Sequence, residues 1–165
     1  MIAKVKNRHR LKGKDIKEMQ HELQQTFTTN FFDETASIET GEIDGRTIVF
    51  VDDEPCFMIH NKKIVFTIHG INRHQPQKKR VVVDMGAVKF VTSGADVMAP
   101  GIVDADTAII KGDQVWICDE RHRKPLAVGI ALMDGEQMIT KQKGKAISLI
   151  HYVGDKWWNL TAKSL

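Results

Sequence analysis

Cysteine is scarce in this chain. Its 165 residues include two, Cys56 and Cys118, which lie 62 positions apart with no CxxC pair. That supplies neither a disulfide framework nor half of a zinc site. No apolar run approaches the roughly 18 residues that span a bilayer, and the opening MIAKVKNRHRLKGKDIK lacks the apolar centre of a secretory signal. A cytoplasmic protein with no membrane partner is therefore expected. Also missing are GxGxxG, GxxxxGKS/T and GxSxG, so there is no standard glycine-rich phosphate cradle and no nucleophile elbow. Seven histidines are present, but no HxH, HxxxH or HExxH sets two of them on one strand or helix face. His60, His69 and His74, near Cys56 in the chain, are read as surface or partly buried side chains. Ser93 precedes a glycine without an assigned base and is read as bonding locally at a helix end. No metal, cofactor or catalysis is expected.

What charge there is lies unevenly. The net charge is only +3, yet residues 1–17 carry seven Lys or Arg against one Asp, and residues 18–54 carry ten acids against Arg46 alone. From Lys78 onward the bases bunch as Lys78-Lys79-Arg80, Arg121-His122-Arg123-Lys124 and Lys141-Gln142-Lys143-Gly144-Lys145. By spacing alone these clusters read as solvated turns.

Hydrophobic periodicity organises the rest. Ile16, Met19, Leu23 and Phe27 recur at spacings of three and four, which predicts a helix from about Lys14 to Thr28 with one apolar face. The period then changes. Ser37 to Ile43 and Arg46 to Val51 flank Asp44-Gly45, a pair suited to a tight hairpin turn, and Cys56 to His60 with Ile64 to Ile68 predict a second hairpin around Asn61-Lys62-Lys63. The polar stretch Gly70 to Gln77 predicts a boundary. Beyond it, Val81-Val82-Val83 predicts a strand, and Asp84 can cap a helix over about Gly86 to Thr92 that ends at Gly94. Strands are predicted at Thr107 to Ile110, Gln114 to Cys118, Leu126 to Leu132 and Ala146 to Val153, with turns at Lys111-Gly112-Asp113 and Asp134-Gly135. Short strands with one early helix point to a small barrel. The expected class is α+β: an N-terminal helix and antiparallel sheet over 1–77, a second domain over 78–158, and a tail over 159–165.

The densest run of special residues is Gly86-Ala87-Val88-Lys89-Phe90-Val91-Thr92-Ser93-Gly94-Ala95-Asp96-Val97-Met98-Ala99-Pro100-Gly101-Ile102. Its glycines permit positive φ and close approach by another chain, and Pro100 fixes the backbone before Gly101. This pattern, with Ala127-Val128-Gly129-Ile130-Ala131, resembles the PUA domain, an RNA-binding module named after pseudouridine synthases and archaeosine transglycosylases. The stretch from Asp84 to Ala95 and the closing Ile150-His151-Tyr152-Val153 with Asp155 and Trp157 look especially like the MCTS family, named for malignant T-cell-amplified sequence, and its archaeal relatives. The likeness is strong over residues 78–158. Over 1–77 it is confined to the first helix and the Asp44-Gly45 hairpin.

The resemblance implies a PUA-type mixed β pseudobarrel behind a pre-PUA domain. It also implies a non-catalytic RNA-binding protein acting with the small ribosomal subunit in initiation, re-initiation or recycling. Its RNA would be the acceptor end of tRNA, or rRNA, and its first domain would meet the ribosome or a protein partner of the density-regulated type. Carried onto this sequence, the RNA site comprises Lys89, Ser93, Gly94, Ala95, Asp96, Met98, Pro100 and Gly101, flanked by Lys79, Arg80, Lys143 and Lys145 as phosphate contacts. Each has a plainer role open to it: Lys89 as a solvated helix residue, Met98 as core, Gly94 as a helix terminator. Of Trp116, Trp157 and Trp158, Trp116 is as readily core as surface, and an extended Trp157-Trp158 pair would expose one ring. Two other functions stay open. One is an accessory RNA-targeting subunit of an RNA-modifying enzyme; the other is a protein-interaction module whose acidic segment from Glu18 to Glu54 binds a basic partner.

Overall fold

The computed structural model describes residues 4–141 and 143–163. The first elements are β1 (Lys6–Arg10), α1 (Gly13–Phe27), β2 (Ile38–Ile43), β3 (Arg46–Val51), β4 (Glu54–His60), β5 (Lys63–Phe66) and α2 (Ile68–His74). There follow β6 (Arg80–Val83), α3 (Met85–Val91), β7 (Val97–Met98), a 3₁₀ turn at Ala99–Gly101, and β8 (Ile102–Ala105). The chain closes with β9 (Gln114–Asp119), β10 (Pro125–Ala131), α4 (Gly135–Thr140), β11 (Lys145–Tyr152) and α5 (Lys156–Lys163). Two compact units result: one runs to Pro76 and takes up the chain again from Lys156, and the other spans Gln77–Asp155.

In the first unit β1 to β5 pair in sequence order, antiparallel throughout. Asp44 and Gly45 have φ of 47° and 80°, and Asn61 and Lys62 have 48° and 66°. Both pairs thus take the left-handed geometry of two-residue hairpins whose twist matches the strands. Leu23 and Phe27 bury the α1 face beside the sheet residues Phe57 and Phe66. Phe27 meets Phe66 edge to face at 5.1 Å, and Phe31 meets Phe66 at 5.2 Å, arrangements that add about 0.5–1.5 kcal/mol each beyond area burial.

His74 sits in this aromatic cluster, stacked 5.8 Å from Phe57, with its Nε2 buried and without a hydrogen-bond partner. Burial, reinforced by Arg73, pushes its pKa down to about 4. The folded state thus binds fewer protons here than the unfolded chain, whose histidines titrate near 6.5. Stability from this site is complete above about pH 6.5 and falls as the pH drops towards 4. Denaturant titrations at pH 7 and pH 5 should differ by on the order of 1–2 kcal/mol from this group after solvent screening, and His74→Phe should flatten that part of the slope.

The second unit holds one mixed sheet in the order β7-β11-β10-β9-β6-β8, with β6 parallel to β9 and the other pairs antiparallel. It curls around Val81, Val83, Val115, Ile117, Ala127, Ala146 and Ile147, all essentially inaccessible to solvent, and forms a nearly closed pseudobarrel. The fold class is α+β, as the hydrophobic pattern implies.

Several local expectations are corrected. The boundary expected over Gly70 to Gln77 falls at Pro76–Gln77, but most of that stretch is helix α2, as far as His74, started by the Thr67 side chain, which accepts from the Gly70 N–H at 2.9 Å. Thr107 to Ile110 is no strand: Asp106 accepts from the Ala108 N–H at 2.9 Å and folds a turn there, while the strand lies earlier, at β8. Asp134-Gly135 opens α4, where Asp134 and Gln137 form a reciprocal capping box. Residues 156–163 form α5 within the first unit, not a tail or a continuation of the pseudobarrel. Trp157 and Trp158 are therefore helical rather than extended. Trp157 lies under the Arg46 guanidinium at 4.7 Å, and Trp158 is partly exposed. Trp116 is buried, its indole N–H donating to the Lys78 carbonyl at 3.0 Å.

Candidate nucleic-acid interface

α3 is short, and its start is set by Asp84, whose carboxylate accepts from the Ala87 N–H at 2.8 Å. Val91 turns into the core. Its neighbour Phe90, about 100° around the helix, must face away, and 57% of it is exposed. The helix ends where the Thr92 hydroxyl donates to the Val88 carbonyl at 3.0 Å and the Ser93 hydroxyl to the Phe90 carbonyl at 2.8 Å. Gly94 then takes φ of 91°, a left-handed conformation that suits glycine. Asp96 fixes the far side of the loop: it accepts from the Leu149 N–H at 3.1 Å and lies 3.7 Å from the Lys145 ammonium.

β7 and the 3₁₀ turn close the site. Met98 is 46% exposed and pairs in register with Lys145 of β11. A Cβ on Gly101 would stand 3.0 Å from that of Ala87, so the missing side chain lets the turn seat against α3. The open cleft has a volume of about 560 Å³ and is lined mainly by Ala87, Phe90, Val91, Val97, Met98 and Pro100, with the carboxylates Asp84 and Asp96 also in its lining. That size falls in the range of about 300–1,000 Å³ common to ligand sites.

Of the residues expected at the site, Ala95, Asp96, Met98, Pro100 and Gly101 line this cleft. Lys89 is exposed, with its ammonium 5.2 Å from the Phe90 ring centroid. Ser93 and Gly94 shape the loop without lining the cleft, and Lys143 and Lys145 are exposed before and within β11. Arg80 is half-buried on β6 and is not among the lining residues.

Lys79 is a correction. It is 9% exposed, and its ammonium donates to Asp113 at 2.7 Å and to the Ala108 carbonyl at 2.9 Å. A phosphate would have to displace both partners, so Lys79 serves the fold. Replacing it with Ala would remove the cation that faces the Asp113 carboxylate and leave it only the Ile110 N–H at 3.0 Å. We expect a loss of about 2 kcal/mol in denaturant titration, with RNA affinity unchanged where both proteins are folded.

Phe90 is the residue that sequence reasoning passed over. The available signal was its offset from Val88 and Val91, which share one helical face.

Cys56 is buried, and burial pushes its thiol up to about 12, while His74 is enclosed by phenyl rings. Among the described residues no three His, Cys, Asp or Glu are grouped to hold a metal ion. No described helix is long and apolar enough to cross a membrane.

A mixed pseudobarrel with a short helix and a glycine- and proline-bearing turn packed beside it is the fold of a PUA-type module. Comparison with known families agrees: the PUA domain matches residues 79–153, and a domain of unknown function, DUF1947, matches residues 7–74. Uncharacterized protein MJ1432 of Methanocaldococcus jannaschii is 44% identical over 157 residues, 94% of this chain and 97% of the relative. Translation machinery-associated protein 20 of Saccharomyces cerevisiae is 33% identical over 119 residues, 68% of this chain and 66% of that protein. The crystal structure of hypothetical protein PH0734.1 from Pyrococcus horikoshii superposes with a TM-score of 0.86 at 38% identity, covering 93% of this chain and 99% of that one. Relatives matching a smaller share are named Malignant T-cell-amplified sequence 1. The chain belongs to the MCTS family of PUA-domain proteins, in the archaeal form with a pre-PUA N-terminal domain.

Proposed function

We propose that the protein is a non-catalytic translation factor that holds the acceptor end of tRNA in the α3 cleft while engaged with the small ribosomal subunit. One observation supports this most: Phe90 and Met98, both large, apolar and exposed, line one cleft, with Lys89 beside Phe90 and Lys145 paired in register with Met98. Unstacked bases can gain about 1–3 kcal/mol each from aromatic faces, and lysines neutralise the phosphates between them. A tRNA acceptor end supplies single-stranded bases on a charged backbone. The yeast relative's name places that protein with the translation machinery, which supports a role for this chain in translation.

The rival reading, a basic partner bound by the acidic segment, is disfavoured because many of those acids are engaged within their own unit. Glu39 receives Arg8 at 3.2 Å, Asp52 and Glu54 receive Arg73 at 3.1 and 2.7 Å, and Asp44 pairs with Lys156. Crosslinking the purified protein to total cellular RNA and sequencing the recovered fragments tests the proposal. Enrichment of tRNA 3′ ends is expected, and recovery of no RNA above background would contradict it.

A further inference from the structure

The chain contains seven phenylalanines but one tyrosine, Tyr152, at the end of β11. Its ring packs on the pseudobarrel core and lies beneath the Gly94 loop: a Cβ at Gly94 would stand 2.8 Å from the Tyr152 hydroxyl and 2.9 Å from the ring. Phenylalanine would fill that space equally well, as it does elsewhere in the core. The hydroxyl is what needs an explanation. Among the described residues it has no hydrogen-bond partner, yet it is not one of the buried polar atoms left unpaired, so it keeps contact with solvent. It is also held in place. Asp155 accepts from the Tyr152 N–H at 3.0 Å and lies 2.9 Å from Nδ1 of the fully buried His151.

We propose that the Tyr152 hydroxyl is an RNA-binding group, making a hydrogen bond to a backbone oxygen of the bound strand where it passes Gly94. This rests on the α3 region being the RNA site. A phenol donates to a phosphate oxygen and exchanges hydrogen bonds with a ribose 2′-hydroxyl, and the absent side chain at Gly94 leaves the hydroxyl uncovered on that side. Asp155 and His151 act as positioning residues, because they fix the strand end that carries the ring.

The test is Tyr152→Phe in the full chain, titrated with a tRNA acceptor minihelix ending in ribose or in 2′-deoxyribose nucleotides over a range of salt. Loss of one hydrogen bond should weaken binding about 3- to 10-fold if the partner is a ribose hydroxyl and about 10- to 150-fold if it is a phosphate, with no fall in melting temperature and no change in the salt slope, since no protein charge is removed. A displaced loop would move the lysines and alter that slope. If the 2′-deoxy ending weakens the parent but not the variant, the partner is the ribose hydroxyl; if it affects neither, the partner is a phosphate. Binding by Tyr152→Phe equal to the parent's would overturn the role of Tyr152 and leave the cleft reading standing. A folded parent protein that fails to bind the minihelix would overturn both.

Discussion

Gly94→Val should cost the protein both stability and RNA binding, and the two losses have separate causes. At φ of 91° a β-branched side chain is strained, and its first atom would meet the Tyr152 ring at 2.9 Å. The ring is packed on the core and the loop is tied down by Asp96, so neither yields freely. A loss of about 2–4 kcal/mol in denaturant titration is expected from strain and overpacking together. Binding to a tRNA acceptor stem should fall at least about tenfold at a temperature where the variant is folded, because the loop is displaced and the close approach is blocked. Lys89→Ala provides the contrast. It should leave melting almost unchanged, weaken binding modestly and reduce the salt slope by about one. A Gly94→Val protein that is folded and binds as the parent does would remove the loop from the site.

Phe90→Ala is expected to weaken binding strongly with little effect on folding. The ring is 57% exposed, so its removal leaves little cavity and should change stability by no more than about 0.5–1 kcal/mol. The cleft would lose one of its two large exposed apolar side chains, and with a base stacked there the loss is about 1–3 kcal/mol, or roughly 5- to 150-fold in affinity. Phe90→Leu, which keeps an apolar contact but not a flat face, should fall between. Equal affinity for parent, Leu and Ala variants in fluorescence titrations would exclude stacking on Phe90.

Sequence and structure agree where one physical signal dominates. α1 was legible because Leu23 and Phe27 continue a 3–4 spacing, and the two hairpins because Asp44-Gly45 and Asn61-Lys62 tolerate positive φ. The loop from Ser93 to Gly101 was legible from its glycines and proline. Other elements carried competing signals. β1 is exposed at every position, Lys6 to Arg10, so it has no alternation to read. It exists because it pairs with β2 across a break in register. Gly70 looked like a linker residue but lies in α2, where the helix packs so closely that a Cβ would stand 1.9 Å from the Cys56 carbonyl oxygen. Asp134-Gly135 has the composition of a turn and is a helix start, since capping and turning use the same side chains. Lys79 looked like part of a basic surface cluster; only its neighbours in space, Asp113 and Ala108, show where its charge is spent. Phe90 was missed because an apolar residue in a helix reads most simply as core, and only the fold brings it into one cleft with Met98 and the loop.

The most direct measurement compares the affinity of the full-length protein for one tRNA with its 3′ end intact and for the same tRNA with the single-stranded terminal nucleotides removed, by titration at fixed salt. The stem, its phosphates and the overall charge differ little between the two, so non-specific attraction to the lysines is nearly common to both. The α3 cleft predicts binding at least about tenfold tighter with the end present, an advantage lost in Phe90→Ala. Equal binding of both tRNAs would mean that the cleft does not hold the acceptor end, and would contradict the account.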